Sequence, residues 1–425
     1  MVGLRSVPHS SRVAPVPGAT RAVISVSQPH YPRVPARVQR YTRLPVWPAW
    51  QGLALVLLSQ VPALRPAADA LEARFGGRVC PMQLDARECD PFILLVHHRH
   101  AFRPLDFLRP LFSALILPEG FPAHPHRGFE TVTYVLPGRA GLTHRDSEGC
   151  KMRYGDGAVQ WMTAGRGMLH EEMWDLSAGT EHELYQLWVN LPPEAKMCAP
   201  KVQLLEPSEG GEGMTSVERE GGTPVRRAKV ATDTRAGADG GSVTVRTLAD
   251  VDTAAGQGAE TYSPMTIAHV ELRGKGTSHT VRLPEGWTCF AYVRGGRVEV
   301  GGGKQASTYA AAASEAQRAL PNTPALWTAV VPRRYETVHY PRVGGDCARL
   351  TNLDTSPADV MIFAGQPIGA PVVASGTMVM NSEAAVQKAV RDYQAGAFGT
   401  PWQPSLPDED WAAGVRKDGI RRLIQ

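Results

Sequence analysis

Two short motifs contain the residues best able to do chemistry. The first is HPH, with His124 and His126, inside EGFPAHPHRGFETVTYVLPG (residues 119–138), and the second is HEE, with His170 and Glu172, inside GRGMLHEEMW. Residues i and i+2 of a β-strand point to the same face of the sheet, so each motif sends two side chains to one side. Unpartnered imidazoles are costly in an apolar interior, and a shared metal ion would give them a partner.

The combination of the two motifs favours a metal site. A His-x-His pair alone is more often a pair of histidines that are hydrogen-bonded within the fold, but a second pair on another predicted strand changes that balance. Strand parity places Glu172 on the face of His170 and turns Glu171 away. His144, on the next predicted strand, can line the same pocket or serve a structural hydrogen bond.

Three imidazoles and one carboxylate form a set that suits Fe(II), Mn(II), Ni(II), Cu(II) or Zn(II), and the order of affinities does not choose among them. A six-coordinate ion held by four protein ligands keeps two positions for a bidentate oxygen substrate, or for a substrate and dioxygen together. We therefore expect His170 and Glu172 to contribute to catalysis through the metal.

The residues around the motifs predict an all-β fold. Short apolar runs such as DPFILLVHH, ETVTYVLPG and ELYQLWVNLP are separated by Gly and Pro, which is typical of a β-sandwich or barrel. We assign residues 76–205 to a first β-domain, which would carry the metal site, and residues 244–400 to a second. Residues 206–243, rich in Gly and charge, predict a linker or insertion, and residues 301–324 predict another insertion.

The C-terminal region predicts one short helix. NSEAAVQKAVRDYQAG has the periodicity of an amphipathic helix, with Asn381 or Ser382 as its N-cap and Gly396 just after its end. Residues 401–425 would then form a C-terminal tail.

The two predicted β-domains resemble each other. GFETVTYVLPG (residues 128–138) aligns with GWTCFAYVRGG (residues 286–296), matching glycines and aromatic residues at a constant offset. At that offset Arg282 and Pro284 replace the two histidines of the HPH motif. The sequence therefore predicts two copies of one domain, of which the second has lost the metal ligands.

Composition excludes several classes of partner. The chain of 425 residues has 45 Lys and Arg against 41 Asp and Glu, and much of the positive excess lies at the N-terminus. The rest of the chain therefore lacks the excess of positive charge that would attract nucleic acids. Its six cysteines are scattered singly, which favours a reducing compartment. No apolar run approaches the roughly 20 residues of a membrane helix. We expect no direct nucleic-acid binding, no membrane span and a monomer.

Residues 1–75 resemble a targeting leader. The first 68 residues contain eight arginines, many prolines and serines, and no acidic residue before Asp69. This composition is typical of an organellar transit peptide, and a disordered extension is the alternative. We expect an organelle location, with a plastid favoured over a mitochondrion and with the cytoplasm or nucleus as the alternative.

Several segments are similar to the signatures of the pirin family, a bicupin group of the cupin superfamily. They include GFPAHPHRGFETVTYVLPG, VQWMTAGRGMLHEEM and LYQLWVNLP in the first half, with LPEGWTCFAYVRGG and FAGQPIGAPVVASGTMVMNSEAAVQKAVRDY in the second. The resemblance extends from about Cys80 to Phe398. It implies two tandem cupin domains, each a jelly-roll-like β-barrel, and a short C-terminal helix.

The resemblance also implies a ligand set. In the family the metal, usually iron, is held at the positions filled here by His124, His126, His170 and Glu172. Fe(II) is therefore the expected cofactor, with Mn, Ni, Cu or Zn as alternatives. Cupins in general use the glutamate that corresponds to Glu130 as a ligand. Glu130 is an even number of residues from both HPH histidines, so an uninterrupted strand would place it on their face. It is therefore an alternative ligand or a residue that supports the ligands.

The activity implied by the resemblance is that of a quercetin 2,3-dioxygenase, in which dioxygen opens the heterocycle of a flavonol and carbon monoxide is released. The partners would then be a small aromatic substrate and dioxygen. The alternative is a non-enzymatic regulator that uses iron as a redox switch and binds a protein partner such as a transcription factor.

Overall fold

Alternating apolar residues make β-strands the main secondary structure of the described chain, as the sequence predicts. The computed structural model describes short stretches between residues 33 and 70 and then residues 78–101, 120–179, 181–208, 215–219, 224–237, 240–251, 256–301, 329–343 and 345–424. The predicted insertion at 301–324, beyond its first residue, and most of the predicted leader lie outside the described residues.

The strands, numbered in chain order, are β1 Arg37–Arg40, β2 Leu44–Pro45, β3 Arg78–Gln83, β4 Phe92–Ala101, β5 Gly120–His126, β6 Phe129–Val135, β7 Leu142–Asp146, β8 Cys150–Tyr154, β9 Val159–Thr163, β10 Met168–Trp174, β11 Glu181–Asn190, β12 Lys201–Glu206, β13 Ser216–Arg219, β14 Arg226–Lys229, β15 Ala231–Ala236, β16 Ser242–Ala249, β17 Met265–Arg273, β18 Ser278–Arg282, β19 Thr288–Gly295, β20 Val298–Gly301, β21 Ala329–Val330, β22 Glu336–Tyr340, β23 Cys347–Asn352, β24 Ala358–Gly365, β25 Val373–Ser375 and β26 Met378–Met380. Two α-helices follow them in the described chain, α1 Glu383–Gln394 and α2 Asp408–Ile424.

The first β-domain consists of two sheets. The larger has the order β14-β12-β9-β6-β11-β4-β3-β2, and the smaller has the order β13-β8-β7-β10-β5. Its interior is filled by side chains from both sheets, among them Met162, Leu184 and Leu204 from the larger and Leu142 and Met152 from the smaller. The strands that carry the HPH and HEE motifs, β5 and β10, are neighbours in the smaller sheet.

The second β-domain repeats this plan. Its larger sheet has the order β1-β22-β19-β24-β17-β16-β15, and its smaller sheet has the order β18-β23-β20-β21. Val270 and Ile362 from the larger sheet and Val281 and Leu350 from the smaller belong to one apolar cluster. The two clusters confirm the predicted pair of β-domains.

The internal repeat is visible in the backbone. Gly128 and Gly286, which precede the matched strands β6 and β19, have φ of +85° and +83°, and Gly138 and Gly296, which follow them, have φ of +71° and +77°. Such positive φ values favour glycine. The equivalent turns therefore confirm that the two segments are copies of one element.

The two larger sheets face each other across a third apolar cluster. Tyr134 and Trp161 of the first domain pack there with Phe290 and Phe363 of the second. Each larger sheet thus has one face inside its own domain and the other face at the interface between domains.

A chain of buried charged and polar groups crosses this interface. Arg294 donates hydrogen bonds to both carboxylate oxygens of Glu183 at 2.9 Å and to Asp359 at 2.5 Å. The chain continues at each end through histidines, His97 beside Glu183 at 3.0 Å and His269 beside Asp359 at 3.2 Å. Because these groups come from both larger sheets, the network joins the two domains.

Residues 206–243, predicted to be a linker or insertion without regular structure, instead contain three paired strands. β13 pairs with β8, β14 pairs in parallel with β12, and β15 pairs with β16. All three are strands at or near sheet edges, where polar side chains face water. Their Gly-rich and charged composition therefore concealed the strands.

The predicted boundary of the leader at residue 75 is also wrong. β1 pairs antiparallel with β22 of the second domain. Arg33 is fully buried, with 0% of its surface exposed. Its guanidinium donates hydrogen bonds to the carbonyl oxygens of Leu283, Pro284, Trp287, Pro341 and Gly345. Arg33 and β1 are thus part of the second domain, and an arginine-rich composition did not distinguish them from a leader.

The C-terminal helix has the predicted ends. The Ser382 side chain accepts a hydrogen bond from the Ala385 backbone N–H at the start of α1, and Gly396 has φ of +80° just after its end. The region expected to be a tail, residues 401–425, contains the second helix, α2. Within the described residues, neither helix is apolar enough over a sufficient length to cross a membrane.

Candidate metal centre

Three histidines converge inside the first domain. β5 carries His124 and His126, and His170 on β10 pairs directly with His124. The Nε2 atoms of His124 and His170 are 3.1 Å apart, and the three ring centres lie 4.4, 4.7 and 4.8 Å from one another. One nitrogen from each ring can therefore reach a common ion, since potential ligand atoms of all three lie within 4.8 Å of one another.

The histidines are in the form that binds metals. The Nδ1–H of His124 donates to the Pro122 carbonyl oxygen at 2.8 Å, which leaves Nε2 as the unprotonated nitrogen of the neutral ring. Burial lowers the pKa of all three histidines, so they are neutral at pH 7. In the part of the chain that the structure describes, no hydrogen-bond partner reaches Nδ1 of His126 or His170. The donor set therefore fits a divalent transition metal.

Glu172 lies beside the histidines on the same interior wall. Its Oε1 accepts hydrogen bonds from the hydroxyls of Thr133 at 2.9 Å and Tyr154 at 2.5 Å, and its Oε2 accepts from the Gln186 amide at 2.8 Å. Burial lowers the pKa of His124, and the nearby Glu172 carboxylate partly offsets that effect. Each carboxylate oxygen has more than one acceptor site, so the three donors orient Glu172 and still leave it able to bind an ion. Its role as a ligand stays a prediction.

Glu171 points away from the histidines, to the outer face of the sheet. It pairs there with Arg145, whose Nε donates to Glu171 Oε1. Alternation along β10 thus separates the two neighbouring carboxylates, as strand geometry predicts.

Glu130 does not lie with the histidines, and the expectation that it shares their face is wrong. The turn between β5 and β6, where Gly128 has φ of +85°, interrupts the alternation of side chains. On β6, Thr133 contacts Glu172, so Glu130 and Tyr134 face the opposite way, toward the second domain. Sequence parity counted across this turn was therefore misleading.

The burial of Glu130 makes the stability of the protein depend on pH. Burial raises its pKa from 4.5 to about 7, and its Oε1 accepts a hydrogen bond from the Thr163 hydroxyl at 2.6 Å. Between those two pH values the folded state holds a proton that the unfolded chain has released, so stability falls as the pH rises through this window. Glu130→Gln cannot ionise and escapes that loss. We expect its stability relative to the wild type to be higher at pH 8 than at pH 5 by about 2 to 3 kcal/mol.

Urea unfolding of both proteins at the two pH values measures this difference. A stability difference that is the same at pH 5 and pH 8 would contradict a buried, protonated Glu130.

His144 both adjoins the histidines and is hydrogen-bonded. Its ring centre lies 5.4 Å from that of His170, its Nε2 is 3.1 Å from Asp146 Oδ2, and its Nδ1 is 2.6 Å from the Gln160 amide nitrogen. It is therefore held in place at the edge of the site by protein groups.

The three donors to Glu172 were not predicted from the sequence. One signal was available for Thr133, because FETVTYV places Thr131 and Thr133 on the same face of an otherwise apolar strand. Tyr154 and Gln186 lie on β8 and β11, and only the folded barrel shows that they meet one carboxylate.

Comparison with known proteins identifies the family. Residues 76–189 match the family model described as Pirin, and residues 334–399 match the one described as Pirin C-terminal cupin domain. Pirin-1 of Arabidopsis thaliana is 32% identical over 316 residues, which cover 73% of this chain and 84% of that protein. The chain belongs to the pirin family. The family resemblance and the fold class predicted from the sequence are both confirmed.

Two relatives of this pirin-family chain have names that state an activity. A candidate quercetin 2,3-dioxygenase of Pseudomonas aeruginosa is 30% identical over 308 residues, covering 72% of this chain and 88% of that protein. The crystal structure of a quercetin 2,3-dioxygenase from Acinetobacter baumannii has a TM-score of 0.54 and 27% identity, covering 76% of this chain and 92% of that one. The structural likeness supports the cupin fold of this chain.

Proposed function

We propose that this pirin-family protein is an iron-dependent oxygenase of the quercetin 2,3-dioxygenase type, acting on a flavonol or a related aromatic compound. The observation that carries the proposal is the convergence of three neutral histidines, with Glu172 beside them, inside the first domain. A metal bound there would supply Lewis-acid and redox chemistry for the reaction of the substrate with dioxygen.

The protein groups have separate tasks in this proposal. The Pro122 carbonyl oxygen fixes the His124 ring with its Nε2 available. Thr133, Tyr154 and Gln186 hold the Glu172 carboxylate in place. A fixed carboxylate beside a metal is suited to accept the proton of a substrate hydroxyl on one of its oxygens.

Aromatic side chains adjoin the same histidines. The ring centre of His126 is 5.0 Å from Phe129 and 5.6 Å from Trp188, and those two rings are 4.6 Å apart. Such a wall excludes water and favours a planar aromatic substrate. This supports the aromatic substrate class and does not choose its substituents.

The test is oxygen uptake with quercetin by the full chain, purified anaerobically and loaded with Fe(II). The wild type should consume dioxygen and release carbon monoxide, whereas His170→Ala should do neither. His279→Ala, which changes a histidine in the second domain, is the matched control and should retain the activity. Stoichiometric metal without uptake in the wild type would contradict the proposal and favour a non-enzymatic metal-binding or regulatory role.

A further inference from the structure

The C-terminal part of the chain covers the outer face of the sheet that carries the histidines. We call residues 373–424, which comprise β25, β26, α1 and α2, the C-terminal clamp. Leu169, which precedes His170, packs outward against Met378 and Phe398 of the clamp. The clamp therefore contacts β10 from outside, opposite the side on which the histidines converge.

The clamp holds the end of β5 through Arg127, the residue after His126. Arg127 Nη1 donates to Asp392 Oδ2 on α1 at 2.7 Å, and its guanidinium carbon lies 4.5 Å from the centre of the Phe398 ring. Its backbone also exchanges hydrogen bonds of 3.2 and 3.0 Å with the β25-β26 hairpin. Arg127 is only 4% exposed, whereas the side chain of Asp392 is 23% exposed, so the contact is shielded from water on the Arg127 side.

A second contact reaches β10 between the two predicted ligands of that strand. Glu171 accepts a hydrogen bond from Arg145 Nε. The other guanidinium nitrogens of Arg145 donate to the Pro404 carbonyl oxygen at 3.1 Å, to the Leu406 carbonyl oxygen at 2.7 Å and to Asp408 Oδ1 at 3.2 Å. Arg145 is 7% exposed. One buried guanidinium thus ties the residue between the ligands to the start of α2.

We propose that the C-terminal clamp sets the positions of the metal ligands from outside the barrel, with Arg127 and Arg145 as positioning residues. This rests on the metal site of the proposed function, but not on its oxygenase activity. Arg127 contacts the clamp and follows the ligand His126 in sequence. Arg145 contacts the clamp and is hydrogen-bonded to Glu171, which lies between His170 and Glu172. In other metal sites, loss of a group bonded directly to a ligand weakens metal binding by about 10- to 100-fold. The two arginines act one residue further from the metal, so we expect an effect near the lower end of that range.

The test is a titration of the metal-free full-length protein with Co(II), followed by the visible absorption of the bound ion. Arg127→Met and Arg145→Met should each raise the Kd for Co(II) by about 10-fold and change the absorption bands. Arg153→Met is the matched control, because Arg153 pairs with Asp175 and lies on β8 of the same small sheet. Its Kd should stay within about twofold of the wild type, because Asp175 is not next to a predicted ligand in sequence and a partly exposed ion pair contributes little to stability.

Thermal unfolding of the metal-free variants separates a loss of fold from a loss of ligand position. If the arginine variants do not fold, Asp392→Asn and Asp408→Asn decide instead, because they weaken the same contacts from the clamp side. Folded variants that bind Co(II) as tightly as the wild type would overturn the proposal. A wild type that binds no Co(II) would instead contradict the metal site itself.

Discussion

His126→Ala should empty the metal site while the protein remains folded. The wild type should carry about one equivalent of metal after loading with Fe(II), and the variant should carry close to none. The physical reason is that His126 supplies one of the three ring nitrogens that converge on the site, beside His124 and His170. Removing one of a small number of protein ligands removes a large part of the binding free energy.

Elemental analysis after gel filtration measures the metal content, with circular dichroism to check the fold. His279→Ala is the control, since His279 lies on β18 in the second domain. Equal metal loss in both variants, or an unchanged content in His126→Ala, would contradict the assignment of the site to the HPH and HEE motifs.

Arg294→Met should cost about 3 to 5 kcal/mol of stability at pH 7. Arg294 makes paired hydrogen bonds with Glu183 and another with Asp359, and both carboxylates are buried. Without the guanidinium, two negative charges would remain in the interface between the domains. Glu183 would keep His97 and a more distant Arg139, whose Nε is 3.6 Å from Glu183 Oε2, and Asp359 would keep His269. An uncompensated buried charge is far more costly than the loss of an exposed pair.

The pH dependence gives this prediction a second test. Burial acts to raise the pKa of Glu183 and of Asp359, but hydrogen bonds and charges from Arg294 and from His97 or His269 outweigh burial and lower both values. A lowered carboxylate pKa contributes stability that is present above the ordinary value and lost as the pH falls. The difference between the wild type and Arg294→Met should therefore shrink in acid.

Urea unfolding at pH 7 and at pH values down to about 4, near the ordinary pKa of these carboxyl groups, measures the effect. Arg235→Met is the matched control, because Arg235 and its partner Asp233 are both more than half exposed and the change should cost less than about 1 kcal/mol. A loss for Arg294→Met that is as small as that of the control would show that the interface does not depend on the network.

The parts of the site that follow local strand geometry could be predicted from the sequence. His124 and His126 share a face because they are two residues apart on β5, and His170 and Glu171 face opposite ways because they are adjacent on β10. No tertiary information is needed for such relations. The same reasoning failed for Glu130, because a turn with a positive φ at Gly128 separates it from the histidines.

Interactions between distant segments could not be predicted in this way. The hydrogen bonds that hold Glu172 come from β6, β8 and β11. Arg33 is buried among carbonyl groups about 250 or more residues further along the chain, although its surroundings in sequence are those of a leader. The composition of a segment indicates only its local preferences. The positions of these residues depend on partners from distant segments, which the local sequence does not contain.

The central claim is that one metal ion binds among His124, His126, His170 and Glu172. An anomalous difference map from crystals of the Co(II)-loaded full-length protein, recorded at the cobalt absorption edge, tests it most directly. One strong peak should lie in the first domain, about 2.0 to 2.3 Å from a nitrogen of each of the three histidines. A peak elsewhere in the chain, or no peak at these histidines in crystals shown to contain cobalt, would contradict it.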